Sequence, residues 1–352
     1  MQQTVVPGIA MWSVWQPERN LYFNSFFVAA PEGNVVIDPL PILEADAQEI
    51  AAHGGVAWVA ITNRDHERAA RPLAARFGAK IAASALDGGS LSGPVDRFLR
   101  DGDALSGAAV VALEGQKTAG EFALHFAERS AVVVGDALWG VPAGALRLMP
   151  DEKLADPARA VLSLRRLAAL RPQHLLLGDG ACLFGNALHA LWACLEARRE
   201  VYVNRMNVAD AQWEGSPNDP PAYAGEAFDI GAFIGAEKLG YQLGRLAPQT
   251  SFCPEHWHLA EEELLLVLDG AVTLLGPRGE CELTKGDLVA FPTRPSGSHK
   301  VVNRTHAPCT FLFVANVDEH DVCFYPNSNK LLVEKTDHLV RDRPVLDYYD
   351  GE

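Results

Sequence analysis

His256-Trp257-His258-Leu259-Ala260-Glu261-Glu262-Glu263, running on into Leu264-Leu265-Leu266-Val267-Leu268-Asp269-Gly270, is the stretch that decides how this chain reads. A short apolar run closed by a glycine is a strand signal, and residues two apart on a strand share a face. His256 and His258 therefore point to one side, and carboxylates follow on the return. Downstream, Gly286-Asp287-Leu288-Val289-Ala290-Phe291-Pro292 leads to Gly297-Ser298-His299 and then to Asn303. Three imidazoles and one carboxylate form a borderline donor set suited to Fe, Mn, Zn, Ni or Cu, with open positions if the metal is octahedral. The competing reading keeps the histidines as hydrogen-bonded core side chains.

Around this stretch, Leu239–Leu246, Ala271–Leu275, Asp287–Phe291, Lys300–Asn303 and Thr310–Asn316 read as short strands broken by Gly, Pro and Asp, without helical period. That pattern implies an all-β barrel or jelly roll. Upstream lies the polar, Pro-rich segment Gly215-Ser216-Pro217-Asn218-Asp219-Pro220-Pro221, which is turn and linker chemistry. We place a linker at 201–227, an N-terminal domain at 1–200 and the barrel at 228–352.

The barrel segments resemble the two cupin motifs: a histidine pair, a Glu seven residues before a Gly, then a Gly–Pro turn leading to a His and an Asn. The resemblance implies that His256, His258, Glu263 and His299 ligate one divalent transition metal, Glu263 being chosen over Glu261 and Glu262 by its spacing to Gly270. Arg294 and Thr250 stand where the motifs carry glycine, which puts loop shape in question. Asp321-Val322-Cys323-Phe324-Tyr325-Pro326-Asn327-Ser328-Asn329-Lys330 is similar to the tail that closes over small bacterial cupins. Cys253 reads as a buried thiol near the barrel mouth.

The first two hundred residues mix strands and helices. Asn24–Ala30, Asn34–Asp38, Val56–Thr62, Ala131–Asp136 and His174–Gly178 read as buried strands. Asp156–Arg171 and Gly185–Arg199 read as helices, with Asp156 as N-cap before Pro157. The run Thr62-Asn63-Arg64-Asp65-His66 places polar groups at a strand's C-terminal edge, where α/β sites form. These segments resemble the metallo-β-lactamase-like αββα sandwich, whose main motif reads His-x-His-x-Asp-His. Here Ile61, Asn63, Asp65 and His66 fill those four positions; Lys117 and Asp179 replace two later histidines, and Asp136 matches the bridging carboxylate.

The resemblance implies a degenerate dinuclear site. Asp65, His66, Asp136 and Asp179 form a candidate second metal site for one Mg, Mn, Fe or Zn, and Lys117 is a charge substitute for a lost metal. The fold class is thus α/β plus all-β, a sandwich followed by a cupin jelly roll.

Composition supports two globular domains. The 352 residues exceed the ~250 at which one core usually stops growing. At 48% apolar and 21% charged, the chain is neither disordered nor fibrous. With 45 acidic against 30 basic residues the formal charge is −15, which argues against nucleic acid as a partner. No run reaches the ~18 apolar residues of a membrane span, and the first twenty residues lack signal-peptide character. The expectation is a cytoplasmic protein with no membrane association, its six cysteines reduced, forming a homodimer through sheet edges.

Function follows from the sites. The first expectation is an enzyme acting on a small-molecule ligand at the barrel metal, oxygenase-type chemistry first. The alternatives are a metabolite-binding or sensor cupin without catalysis, and a hydrolase using a single metal in the N-terminal domain.

Overall fold

The structure, a computed structural model, describes residues 1–216 and 218–342. Pro217 of the expected linker and the last ten residues of the expected barrel domain lie outside the described residues. The chain divides into two compact units, Met1–Val203 and Asn204 onward. Among the described residues no helix is long and apolar enough to cross a membrane.

The first unit contains β1 (Ile9–Gln16), β2 (Leu21–Val28), β3 (Val35–Ile37), α1 (Glu44–Ala52), β4 (Trp58–Ile61), α2 (Ala70–Phe77), β5 (Lys80–Ser84) and β6 (Arg97–Leu99). It continues with β7 (Ala104–Leu105), β8 (Ala108–Ala112), β9 (Phe122–Phe126), β10 (Ala131–Gly140), α3 (Pro157–Ala169), β11 (His174–Gly180) and α4 (Ala187–Glu196). The hydrogen-bonded order is β6-β5-β4-β3-β2-β11-β10-β9-β8-β7, with β1 also paired to β2.

Three apolar clusters show how this sheet path is layered. One joins Phe26, Ile37 and Ala82 to Val110, Leu124 and Val133, so its two halves face each other. A second packs Leu164, Leu167 and Leu191 from α3 and α4 on Val132 and Leu177. A third packs Ile50 of α1 and Leu73 of α2 on Val36 and Val59. The result is α/β/β/α, each sheet face burying a hydrophobic surface. The termini of α3 follow from its sequence: Pro157 occupies the first turn, where no partner for an N–H is needed, and Asp156 Oδ1 accepts from Arg159 N at 3.0 Å.

Parallel pairing of β3 with β4 and of β10 with β11 brings their C-terminal ends to one edge. The register of β10 shifts between Val134 and Trp139, and that irregularity contains Asp136.

The second unit is antiparallel: β12 (Gly225–Asp229), β13 (Leu239–Leu246), β14 (Trp257–His258), β15 (Glu263–Asp269), β16 (Ala271–Gly276), β17 (Gly279–Thr284) and β18 (Leu288–Phe291). Then come β19 (Lys300–Val302), β20 (Cys309–Asn316), β21 (Val322–Tyr325), β22 (Lys330–Val333) and β23 (His338–Arg341). Sheets β12-β13-β20-β15-β18 and β17-β16-β19 enclose a core that includes Leu265, Val272, Phe291, Val301 and Phe311, and β14-β21-β22-β23 forms a third sheet.

The turns have physical causes. Gly270 and Gly286, which carry the motif spacing, sit at φ +75° and +95°, where a Cβ is costly. Arg294 holds φ +85° with ψ 172°, so the position where the motif favours glycine keeps a glycine conformation despite its side chain. Residues 204–227 belong to the second unit: Glu214 bridges Ala227, and β12 pairs along β13 from Gly225↔Leu246 to Asp229↔Gln242. A five-residue helix, Ile230–Ile234, interrupts the strands, capped by Asp229. Pro, Gly and Asp mark irregular backbone without telling a free linker from a packed edge.

Candidate functional site

In the barrel, the isolated bridge His256↔His299 draws together two segments, and β15 brings Glu263 to them. His256, Glu263 and His299 offer ligand atoms within 4.8 Å of one another. His258 Nε2 lies 3.6 Å from Glu263 Oε2, and His299 Nε2 lies 3.5 Å from the same oxygen.

Each imidazole is fixed from behind. Nδ1 of His256 meets Pro254 O at 3.0 Å, Nδ1 of His299 meets Gly297 O at 3.0 Å, and Nδ1 of His258 meets Asp321 Oδ2 at 2.6 Å. An Nδ1–H that donates to such an acceptor sets the tautomer and frees the Nε2 lone pair for a metal. Phe291 stacks on the His299 ring at 3.7 Å and 12°. His299 Nε2 and Glu263 Oε2 are buried without a hydrogen-bond partner. Buried polar atoms are seldom left so, and one cation between them satisfies both, so the residues present fit a metal.

The electrostatics agree for His256 and His299, whereas His258 keeps a proton that a metal would have to displace. Burial, with His258 adding to it, lowers His256 to about 4, and burial with His256 lowers His299 to about 3, so both are neutral donors. Burial would also lower His258, but the Cys323 hydrogen bond and the charge of Glu263 hold it at about 10. Burial raises Glu263 above the usual carboxylate range, opposed by His258.

Sequence reasoning missed what β21 contributes. His258 stands opposite Cys323 and Trp257 opposite Phe324. Alternation sends Phe324 onto Trp257, stacked at 4.1 Å and 3°, and turns Asp321, Cys323 and Tyr325 toward the histidines. Cys323 Sγ joins ligand atoms of His256 and His258 within 4.8 Å, and Tyr325 stacks on His256 with centroids 6.0 Å apart. The readable signal was the two-residue period of 321, 323 and 325. Cys253 lies 3.6 Å from His256 Nδ1, its thiol pushed up to about 12 by burial. Glu261 Oε1 accepts from Asp318 N, and a Glu261 oxygen also lies within 4.8 Å of His258 and Asp321 ligand atoms; buried Asn303 ties its loop through Leu246 O and Ala307 O.

In the first unit, His66, Asp136 and Asp179 come within 4.8 Å of one another at the strand edge, all buried. Asp65 does not join them; it pairs with Lys117, whose Nζ also lies 3.7 Å from Asp136 Oδ2. Burial would lower Lys117, but Asp65 and Asp136 raise it, so the ammonium stays charged.

Two further residues were not singled out from sequence. Asp38 Oδ2 meets His66 Nδ1 at 2.7 Å, and Arg68 Nη2 lies 3.0 Å from both His66 Nε2 and Asp179 Oδ1. Burial alone would lower His66, but Asp38 and Asp136 reverse that and hold it at about 10. Neighbouring Glu121 is buried, and burial together with Asp136 raises its carboxyl well above the ordinary value. Ile61 is buried in the core, and Asn63 Oδ1 caps Asp65 N. Neither supplies an imidazole, so the residues present do not fit a dinuclear centre.

Taken together, an α/β/β/α sandwich with a carboxylate-rich strand edge and a jelly roll with converging imidazoles define a two-domain protein of metal-binding ancestry. The sequence profile of the "Metallo-beta-lactamase superfamily" matches residues 1–197, more than half of the chain, and the chain belongs to that superfamily. The "Cupin domain" profile matches residues 242–315, so a cupin domain follows.

A hydroxyacylglutathione hydrolase of Acidiphilium cryptum (strain JF-5) is 34% identical over 172 residues, covering 47% of this chain and 67% of that protein. Another, from Fuscovulum blasticum, is 34% identical over 131 residues, 36% of this chain and 48% of its own length. Among solved structures, a cupin-superfamily sugar phosphate isomerase from Silicibacter pomeroyi DSS-3 is 24% identical with a TM-score of 0.36, covering 41% of this chain and 97% of that one.

Proposed function

We propose that the chain is a mononuclear metalloenzyme whose metal is held by His256, His258, Glu263 and His299, acting on a small organic molecule in the barrel. The observation that carries this reading is the pair of buried, unpartnered atoms, His299 Nε2 and Glu263 Oε2, facing each other beside imidazoles already locked through Nδ1. When bound, a divalent Fe, Mn, Zn, Ni or Cu would supply Lewis acidity and open coordination positions; with dioxygen as co-substrate, oxygenase-type cleavage is the first reaction class to assay.

The chain's own residues orient and shield. Asp321 and the carbonyls of Pro254 and Gly297 hold the imidazole planes, and Phe291 walls one side against water. Tyr325, its phenol raised by burial, stays protonated at neutral pH and keeps an O–H at the site. Cys253, also raised by burial, stays a thiol.

Identity to two hydroxyacylglutathione hydrolases favours a second reading, metal-dependent hydrolysis in the N-terminal domain. Ile61, Asn63 and Lys117 count against it, because they remove the imidazoles that a shared hydroxide between two metals requires.

Elemental analysis of anaerobically prepared full-length protein separates the readings. One transition metal per chain, lost in the His256→Ala/His258→Ala variant and kept in Asp136→Asn, is the expected result. Metal kept in the first variant and lost in the second would sink the barrel assignment.

A further inference from the structure

The Asp38–His66–Asp136–Asp179 cluster poses a question of charge. Three carboxylates and an imidazole are buried together, with side-chain exposures of 1% for Asp38, 4% for His66, 7% for Asp136 and 1% for Asp179. Such a group is costly without a cation. The protonated His66 ring offsets one charge, and a second cation comes from outside: the Arg68 side chain is 9% exposed and reaches into the cluster.

The Arg68 guanidinium is anchored on several sides. Its Nη2 faces Asp179 Oδ1 and His66 Nε2, each at 3.0 Å. Its Nη1 donates to Asn24 O at 2.9 Å, and its plane lies over the Phe23 ring at 4.7 Å. The backbone at Arg68 takes φ +39°, a left-handed conformation that non-glycine residues rarely adopt. His66 Nε2 has Arg68 on one side and Asp136 Oδ1 at 3.4 Å on the other. A neutral ring accepts from Arg68 and a protonated ring donates to Asp136, so in neither state is a lone pair free for a metal ion.

Lys117 answers the same need for the other half of the strand edge, between Asp65 and Asp136. Beside the protonated His66 ring, two further side-chain cations thus stand against the carboxylates that two metal ions would otherwise neutralise.

We propose that Arg68 and Lys117 are resident cations in place of the two metals, and that the Arg68 position conceals a latent divalent-metal site made of His66, Asp136 and Asp179. The domain keeps the carboxylate geometry of a metal site and needs no metal to fold. Removing the guanidinium leaves buried carboxylates uncompensated, and a divalent cation can then take its place. Arginine suits the role because it stays charged at any ordinary pH and donates along a fixed fork.

The test uses the full chain carrying His256→Ala/His258→Ala, so that barrel ligands do not contribute, with Zn²⁺ alone as the probe. In this background zinc should neither bind stoichiometrically nor raise the melting temperature. Adding Arg68→Ala should lower the melting temperature, and zinc should then restore it while binding at about one ion per chain. Adding Asp136→Asn should abolish that rescue.

Arg68→Lys, which retains a cation, should stay folded and zinc-free; its failure to fold without metal, or its uptake of zinc, overturns the charge argument. Should Arg68→Ala refold only with zinc, the proposal stands on that requirement; should it refold under neither condition, Arg68→Lys decides. Stoichiometric zinc in the parental background, lost on Asp136→Asn, would show a working site and overturn the proposal. An Arg68→Ala protein as stable as its parent, with no zinc uptake, would do so equally.

Discussion

The barrel and the sandwich edge each gather buried imidazole and carboxylate donors within 4.8 Å, yet the two clusters are electrostatically opposite. In the barrel, His299 Nε2 and Glu263 Oε2 have no partner, and among the described residues no Lys or Arg forms an ion pair with Glu263 or Asp321. At the sandwich edge, Arg68 and Lys117 pair with Asp179, Asp65 and Asp136. Proximity of donors is therefore a poor marker of a metal site until the cations beside them are counted. A cluster with unpaired lone pairs calls for an ion; one with an arginine among its acceptors has its charge met.

Three substitutions break or sharpen this contrast. The largest effect belongs to Asp321→Asn, which leaves the four barrel ligands in place and keeps one oxygen to accept from Ala260 N and Glu261 N, while the amide weakens the anchor of His258. Such outer partners typically contribute about 10–100-fold in metal affinity, and competition against a chelator should show a loss of that order. An unchanged affinity would mean that the ring needs no anchor.

Lys117→Ala comes next. The Lys117 and Asp65 side chains are about a third exposed, so solvent screens the pair, and a loss of about 1 kcal/mol in urea unfolding is expected. No loss would leave Arg68 as the one side-chain cation that matters at the edge. The last change, of similar size, is a gain: Arg294→Gly relieves about 1–3 kcal/mol of backbone strain and costs about 0.5–1 in glycine entropy, for a net stabilisation of about 1 kcal/mol. Barrel metal stoichiometry should not move, and if it does, the Arg294 loop shapes the site as well as the fold.

Much of the architecture was readable because strand and turn signals are local. Leu239–Leu246 was bounded to the residue, and Asp156 with Pro157 announced the start of α3. Glu263 was separable from Glu261 and Glu262 by its distance to Gly270, and the structure points Glu263 at His299 while Glu261 binds Asp318 N.

Arg68 was not readable. It lies two residues from His66 in sequence but reaches Asp179, 111 positions away, and only the sandwich brings those together. Asp321 shows the same limit, acting on a histidine 63 positions earlier. The hairpin strand Ile9–Gln16 was missed because its outward residues alternate irregularly between buried and open positions.

Trp257 packed on Phe324 fastens β14 to β21, and β21 begins seven residues beyond the end of the cupin profile match at 315. The portable unit of this barrel is consequently longer than its recognisable domain. An excised or grafted module trimmed to the match would carry all four ligands and leave behind the carboxylate that steadies one of them. Designers recombining such domains should set the cut after Tyr325, where the borrowed strand ends, rather than where the family resemblance fades.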